Sequence, residues 1–93
     1  MECFIEELYS VILERLTTKP KGSYTAFLAE KGVEYISRKI GEEATELIIE
    51  AVKNNREGII NEACDLIYHL LVLLAVSNVG LESVIAELVR RRK

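Results

Sequence analysis

The sequence contains few of the residues that build disulfide frameworks and zinc sites. Among its 93 residues are two cysteines, one histidine, one proline and no tryptophan. Cys3 and Cys64 lack the short spacing of metal-binding cysteine motifs, so neither a disulfide framework nor a cysteine metal site is expected. Cys64 stands among apolar residues and is predicted to be a small core residue. The single proline, Pro20, falls where the helical pattern is interrupted.

The chain also lacks an excess of positive charge and a long apolar run. Its net charge of −3 argues against nucleic acid as the main partner. The longest apolar run, at 70–76, is far too short to span a membrane, and the acidic N-terminus is unlike a signal peptide. We therefore expect a soluble, cytoplasmic protein. The basic residues at 90–93 close a helix and complement its macrodipole, which is a simpler explanation than a binding tail.

Apolar residues recur with a helical period along most of the sequence, and no stretch alternates at period two for long enough to form a strand. Breaks are expected at 17–22, at Gly32, at Asn54-Asn55 and at Gly80. Helices are predicted over residues 2–17, 24–31, 33–53, 56–78 and 82–92. The sequence thus predicts one all-α domain over residues 1–93, an antiparallel bundle of about four to five helices.

Two of these helices raise questions about what covers them. The helix at 33–53 has Gly41 in its middle, at a cost of about 1 kcal/mol against alanine, which close approach of a helix or ligand could explain. Its inward face is predicted to comprise Ile36, Ile40, Ala44, Leu47, Ile48 and Ala51. The helix at 56–78 is apolar almost all the way round, more than a monomer of this size can cover. A homodimer or larger assembly is therefore expected to complete the bundle.

A narrow polar stripe interrupts this apolar helix. Glu62, Asp65 and His69 fall within an arc of roughly 60°, because successive helix residues are offset by about 100°. An unpaired carboxylate is costly to bury, so the stripe indicates a bound cation. His69 alone is better explained as a hydrogen-bonded core residue or a supporting residue than as a metal ligand.

The preceding helix carries a second acidic stripe. Glu43, Glu46 and Glu50 follow Lys39 at helical spacing along one ridge, and Glu42 flanks them. In a hairpin that turns at Asn54-Asn55, the pair Glu43 and Glu46 should meet the pair Glu62 and Asp65. A solvated face could also explain the first pair. Because four such carboxylates would repel one another, and because all are hard oxygen ligands, Mg²⁺ is predicted between them, with Mn²⁺ as a possible substitute. Glu50 lies nearer the turn and is a more doubtful ligand.

The two acidic pairs resemble a known motif. The pattern E-x-x-E, fifteen residues, E-x-x-D resembles that of the all-α nucleoside-triphosphate pyrophosphohydrolases, the MazG-like superfamily. A wider match points to the phosphoribosyl-ATP pyrophosphohydrolase family. It comprises GSYTAFL at 22–28, IGEEATELI at 40–48, EACDLIYHLLVLLA at 62–75 and VIAELVRRR at 84–92.

This resemblance implies Mg²⁺-dependent hydrolysis of phosphoribosyl-ATP to phosphoribosyl-AMP and pyrophosphate, the second step of histidine biosynthesis, by a helical dimer. It implies that Glu43, Glu46, Glu62 and Asp65 hold the metal and that Glu42 positions or deprotonates the attacking water. A MazG-like enzyme that removes ordinary or damaged nucleoside triphosphates is the alternative, and a non-catalytic dimerisation module is a further one.

Four residues are candidates for binding the substrate. Ser23, Tyr24 and Thr25 begin a helix, where hydroxyls and free N–H groups could meet a phosphate, although capping by Ser23 alone would also explain the segment. Lys39 is the first candidate to neutralise phosphate charge. A salt bridge to Glu43, one turn away, would explain Lys39 equally well.

Overall fold

The computed structural model describes residues 4–92, and within them the chain is helical with short connections. The five helices are α1 (Phe4–Thr18), α2 (Tyr24–Lys31), α3 (Val33–Val52), α4 (Arg56–Val76) and α5 (Leu81–Arg91). The all-α prediction is confirmed, and the predicted helix bounds differ from these by at most two residues at every end inside the described range. Residues 2 and 3, including Cys3, and residue 93 lie outside that range.

The helix boundaries follow from local chemistry. The Ser23 hydroxyl accepts a hydrogen bond from the Ala26 N–H at 3.1 Å, which caps α2. Gly32 ends α2 with φ of 92°, in the left-handed region that glycine adopts without a Cβ penalty. At the α3–α4 turn Asn54 has φ of 58°, and the Asn55 side chain accepts from the Gly58 N–H and so caps α4. The predicted capping role of Ser23 and the predicted turn are both confirmed.

The core lies at one end of the long α3–α4 hairpin, the end away from its turn. Helices α1 and α2 pack there against the beginning of α3 and the end of α4. The buried apolar side chains are Tyr9, Ile12, Leu28, Ile36, Leu71, Val72 and Leu81. The Tyr9 hydroxyl donates to the Val79 carbonyl at 2.7 Å, which ties α1 to the segment before α5. This arrangement fixes α2 against the hairpin, beside Tyr68 and His69 of α4.

The other half of the hairpin has little packed against it. No residue between Ala44 and Tyr68 is fully buried. Large apolar side chains are exposed on both helices in this half, at Ile48, Ile49, Val52, Ile60 and Ile67. We call these five residues the tip cluster.

Two predictions about buried positions are wrong for the single chain, one for the inward face of α3 and one for Cys64. Ile48, expected to face inward, is 63% exposed, and Ala51 is exposed as well. Cys64 is exposed instead of lying in the core. Around Gly41, a Cβ built on the backbone would meet no heavy atom of the described chain within 4 Å, so no helix of the same chain approaches it closely.

Helix α4, Arg56–Val76, is long and apolar enough to cross a membrane by length and composition alone. This is weak evidence, because the core helix of a soluble protein passes the same test. The helix pairs with α3 along the hairpin and carries the acidic stripe on the side that faces it. Its packing is that of a bundle helix.

Candidate active site

Three carboxylates from the two hairpin helices converge on one point. Glu43 of α3 and Glu62 and Asp65 of α4 each place an oxygen within 4.8 Å of the other two. Glu43 is only 7% exposed, whereas Asp65 is open to solvent. The antiparallel register predicted from the Asn54-Asn55 turn brings three of the four predicted carboxylates together, and Glu46 is not part of this group. Such a set of hard oxygen donors suits Mg²⁺ or Mn²⁺.

Glu62 is the member of the cluster whose charge is least compensated. Its Oε1 is buried without a hydrogen-bond partner among the described residues. Burial, together with the nearby carboxyl groups of Glu43 and Glu46, raises the pKa of Glu62 to about 7. A carboxylate with these neighbours is stabilised when a cation binds among them, so the chain's own residues fit the predicted metal.

The remaining acidic residues take different positions around the cluster. Glu46 lies close enough to Glu62 to raise its pKa, although its own side chain is exposed. Glu42 and Glu46 both line a shallow groove of about 500 Å³ on α3. Glu50 instead accepts a hydrogen bond from the Asn55 side chain at 2.8 Å and pairs with Lys53 at 3.7 Å. The sequence-based doubt about Glu50 as a ligand is therefore supported.

Lys39 is the ammonium group that pairs with these acids. Its Nζ lies 3.8 Å from Glu42 Oε1 and 3.8 Å from Glu43 Oε1. Burial acts to lower the pKa of Lys39, but the carboxylates of Glu43 and Glu42, with Tyr24, outweigh it and raise the pKa. Lys39 is thus held as a cation beside the acidic cluster. The salt bridge to Glu43 that the helical spacing suggested is present.

His69 is a buried, fully hydrogen-bonded residue, as the sequence analysis favoured. Its ring is 5% exposed. Nδ1 lies 2.7 Å from the backbone carbonyl oxygen of Asp65, and Nε2 lies 2.7 Å from the Tyr24 hydroxyl. His69 therefore joins the helix that carries the acids to the start of α2.

The segment 23–25 meets the hairpin through aromatic contacts that the sequence analysis missed. The Tyr24 ring stacks on Phe27 and on Tyr68, with centroids 6.0 and 6.2 Å away. Thr25 is 1% exposed, and its hydroxyl is hydrogen-bonded to the Tyr68 hydroxyl. Thr25 thus lies in the packing between α2 and α4, and Tyr24 is the half-exposed member of the segment. In the sequence, the feature that could have indicated a role for Tyr68 was its position directly before His69.

A cavity of about 610 Å³ lies beside the start of α2. Ser23, Tyr24 and Phe27 line it, together with Lys19 and Glu30. None of the clustered carboxylates contributes to its lining. Tyr24 lines this cavity, and its hydroxyl is hydrogen-bonded to His69 of the helix that carries Glu62 and Asp65. Tyr24 therefore lies between the cavity and the acidic cluster.

The sequence of nearly the whole chain matches one family. The model of the family described as phosphoribosyl-ATP pyrophosphohydrolase matches residues 5–92. The chain belongs to this family. Its members are hydrolases of histidine biosynthesis, as the resemblance implied.

Archaeal relatives named phosphoribosyl-ATP pyrophosphatase are similar over nearly the full length. The protein from Sulfurisphaera tokodaii is 54% identical over 89 residues, which cover 96% of this chain and 95% of the relative. The Metallosphaera sedula protein is 51% identical, with 96% of each chain covered. The Saccharolobus solfataricus protein is 49% identical, with 96% and 95% covered. The phosphoribosyl-ATP pyrophosphohydrolase family is thus assigned by the whole chain, and the acidic cluster falls inside the matched region.

Proposed function

We propose that this chain hydrolyses phosphoribosyl-ATP to phosphoribosyl-AMP and pyrophosphate, the second step of histidine biosynthesis, in the cytoplasm. The observation that carries the proposal is the convergence of Glu43, Glu62 and Asp65 in a member of this family. The names of the relatives supply the substrate. Water adds to the α-phosphorus, the bond to the bridging oxygen of the β-phosphate breaks, and pyrophosphate leaves.

The residues proposed to hold Mg²⁺, with Mn²⁺ as a substitute, are Glu43, Glu46, Glu62 and Asp65. A bound divalent ion supplies neutralisation of triphosphate charge and a lowered pKa of bound water. The fit rests on the partnerless Oε1 of Glu62 and on the hard oxygen donors around it. Phosphoryl transfer depends chiefly on positioning and electrostatics, which is what side chains on two rigid helices provide.

The other proposed roles belong to residues around the cluster. Glu42 accepts a proton from the attacking water or orients it, from its position beside the groove on α3. Lys39 offsets negative charge on the triphosphate. Ser23 and Tyr24 contact the substrate at the cavity beside α2, and Thr25 supports them by fixing this segment to Tyr68.

We also propose that the chain works as a homodimer. The tip cluster exposes large apolar side chains on the half of the hairpin that lacks any fully buried residue. Patches of this kind usually mark interaction surfaces. A second copy would cover them in a symmetric manner and complete the helical bundle.

The direct test is pyrophosphate release from phosphoribosyl-ATP, ATP and dUTP, each with and without Mg²⁺. We expect release from phosphoribosyl-ATP to exceed release from the other two, and to stop when EDTA removes the metal and resume when Mg²⁺ is restored. Comparable release from ATP or dUTP would favour the house-cleaning alternative. No release from any substrate would favour the dimerisation module.

Lys39 gives a prediction with a matched control. Lys39→Met should lower kcat/KM for phosphoribosyl-ATP roughly 10- to 100-fold, because a charged hydrogen bond to phosphate is lost. Stability should fall as well, because Lys39 is the salt-bridge partner of the buried Glu43. Lys53→Met, which breaks the comparable pair with Glu50 near the turn, should leave kcat/KM unchanged. Steady-state kinetics and thermal unfolding measure both quantities, and equal effects of the two variants would contradict a phosphate role for Lys39.

A further inference from the structure

Two hydrogen bonds in series join the backbone of Asp65 to the Tyr24 hydroxyl through the His69 imidazole. Each bond is 2.7 Å long, from Nδ1 to the Asp65 carbonyl oxygen and from Nε2 to the Tyr24 oxygen. The ring between them is almost fully buried, so water does not compete for either nitrogen. This buried connection links a proposed metal-binding residue to the segment at the start of α2.

The bonding partners determine the tautomer of His69. A carbonyl oxygen can only accept, so Nδ1 must carry a hydrogen. In the neutral imidazole Nε2 then has a lone pair, and the Tyr24 hydroxyl donates its proton to it. Because this proton is engaged by His69, the Tyr24 oxygen presents only its lone pairs to the proposed site. It can then accept a hydrogen bond but has no proton to offer a phosphate, so this arrangement favours a donor group of the substrate at Tyr24.

The Tyr24 oxygen also lies in the field of the acidic cluster. Burial raises the pKa of the Tyr24 hydroxyl, while the charge of Lys39 acts to lower it and that of Glu43 to raise it. The ring itself is held by Phe27 and Tyr68 and is 45% exposed. Tyr24 is therefore a fixed, partly open group at the edge of the proposed site.

We propose that His69 is a positioning residue that fixes the Tyr24 hydroxyl as an acceptor for a sugar hydroxyl of the nucleotide substrate. This inference rests on the proposed function. A phosphate offers only acceptor oxygens when ionised, whereas a ribose hydroxyl has a proton to donate. The segment at the start of α2 thus contacts a sugar, and the charged groups of the hairpin contact the phosphates.

Two substitutions of His69 separate its two hydrogen bonds. A glutamine places an amide oxygen near the position of Nε2 and can accept from Tyr24, but it loses the bond to Asp65. An asparagine places its amide nitrogen near the position of Nδ1 and can donate to Asp65, but it loses Tyr24. Tyr24→Phe removes the hydroxyl and keeps the ring. Tyr9→Phe is the matched control, because it removes a distant tyrosine hydroxyl that donates to the Val79 carbonyl.

We expect Tyr24→Phe and His69→Asn each to raise KM for phosphoribosyl-ATP about tenfold with kcat within twofold, the size of one hydrogen bond. The double variant should be no worse than either single variant, because both remove the same interaction. His69→Gln should have a KM close to that of the wild type, because its amide oxygen still accepts a hydrogen bond from Tyr24. Tyr9→Phe should leave KM unchanged. Magnesium affinity, measured by calorimetry, should stay within twofold in Tyr24→Phe and His69→Asn.

The opposite pattern would overturn the proposal. If His69→Gln were the impaired variant, with weakened magnesium binding, while His69→Asn matched the wild type, His69 would act on Asp65 and not on Tyr24. Additive effects in the double variant would also exclude action through Tyr24.

A readout independent of turnover comes from the single histidine of the chain, whose imidazole ¹⁵N resonances need no further assignment. They should report a neutral ring protonated at Nδ1, and Tyr24→Phe should shift the Nε2 resonance. Protonation at Nε2 instead would contradict the proposal even if no variant folds well. If the wild type released no pyrophosphate from phosphoribosyl-ATP, the proposed function would fail, and this NMR result would still decide the hydrogen-bond arrangement.

Discussion

Glu62→Gln should lower kcat for pyrophosphate release about a thousandfold, while the metal-free protein becomes more stable. The activity falls because an amide does not replace a carboxylate in neutralising a divalent ion, whose contribution to the transition state is several kcal/mol. Above about pH 7, where Glu62 is ionised, the stability rises because the substitution removes a negative charge from beside Glu43 and Glu46. Opposite signs for activity and stability are typical of a functional site.

The control for this substitution is Glu57→Gln, in the first turn of the same helix and exposed to solvent. It makes the same chemical change outside the cluster, so kcat should be unchanged. Calorimetry should show Mg²⁺ binding to the Glu57 variant and much weaker binding to the Glu62 variant. If Glu62→Gln retained wild-type kcat and Mg²⁺ affinity, the cluster would not be the metal site.

The pH dependence of stability gives a separate test of the same residue. The pKa of Glu62 is about 7 in the folded chain, against 4.5 for the ordinary glutamate. Between these values the folded state binds more protons than the unfolded state, so the stability of the metal-free protein falls as pH rises from about 4.5 to about 7 and then levels off. Glu62→Gln lacks this contribution. The difference in Tm between the two proteins should therefore grow over this pH range, and a constant difference would contradict the raised pKa.

The sequence predicted the convergence of three carboxylates better than it predicted which apolar side chains are buried. Glu43, Glu62 and Asp65 were placed together because helical periodicity and the Asn54-Asn55 turn together fix which residues face one another across the hairpin. The cap by Ser23 and the end of α2 at Gly32 were likewise local features of the sequence. Such features do not depend on the way distant segments pack.

The features that sequence reasoning missed depend on packing between segments. The contact of Tyr24 with His69, and that of Thr25 with Tyr68, join residues more than forty positions apart. Periodicity within one helix says nothing about which residue of another helix it meets. The errors at Ile48 and Cys64 have a related cause, since an apolar position indicates burial without indicating whether its partner is in the same chain.

The tip cluster gives the second large prediction: Ile48→Asp should convert a dimer into a monomer. Ile48 and Val52 are 63% and 81% exposed in the single chain, so an aspartate at position 48 costs the monomer little. At a subunit interface the same change loses the burial of an isoleucine, about 2 kcal/mol, and buries a charge. The dissociation constant should rise roughly a thousandfold or more.

Val11→Asp, on the exposed side of α1, is the control and should leave the dimer intact. Analytical ultracentrifugation measures both. A wild-type monomer at high concentration, or an Ile48→Asp variant that stays dimeric, would mean that the tip cluster is not the interface. If the interface lies at the tip cluster and the second subunit covers the groove beside Glu42 and Glu46, the Ile48→Asp variant should also have a lower kcat/KM than the wild type.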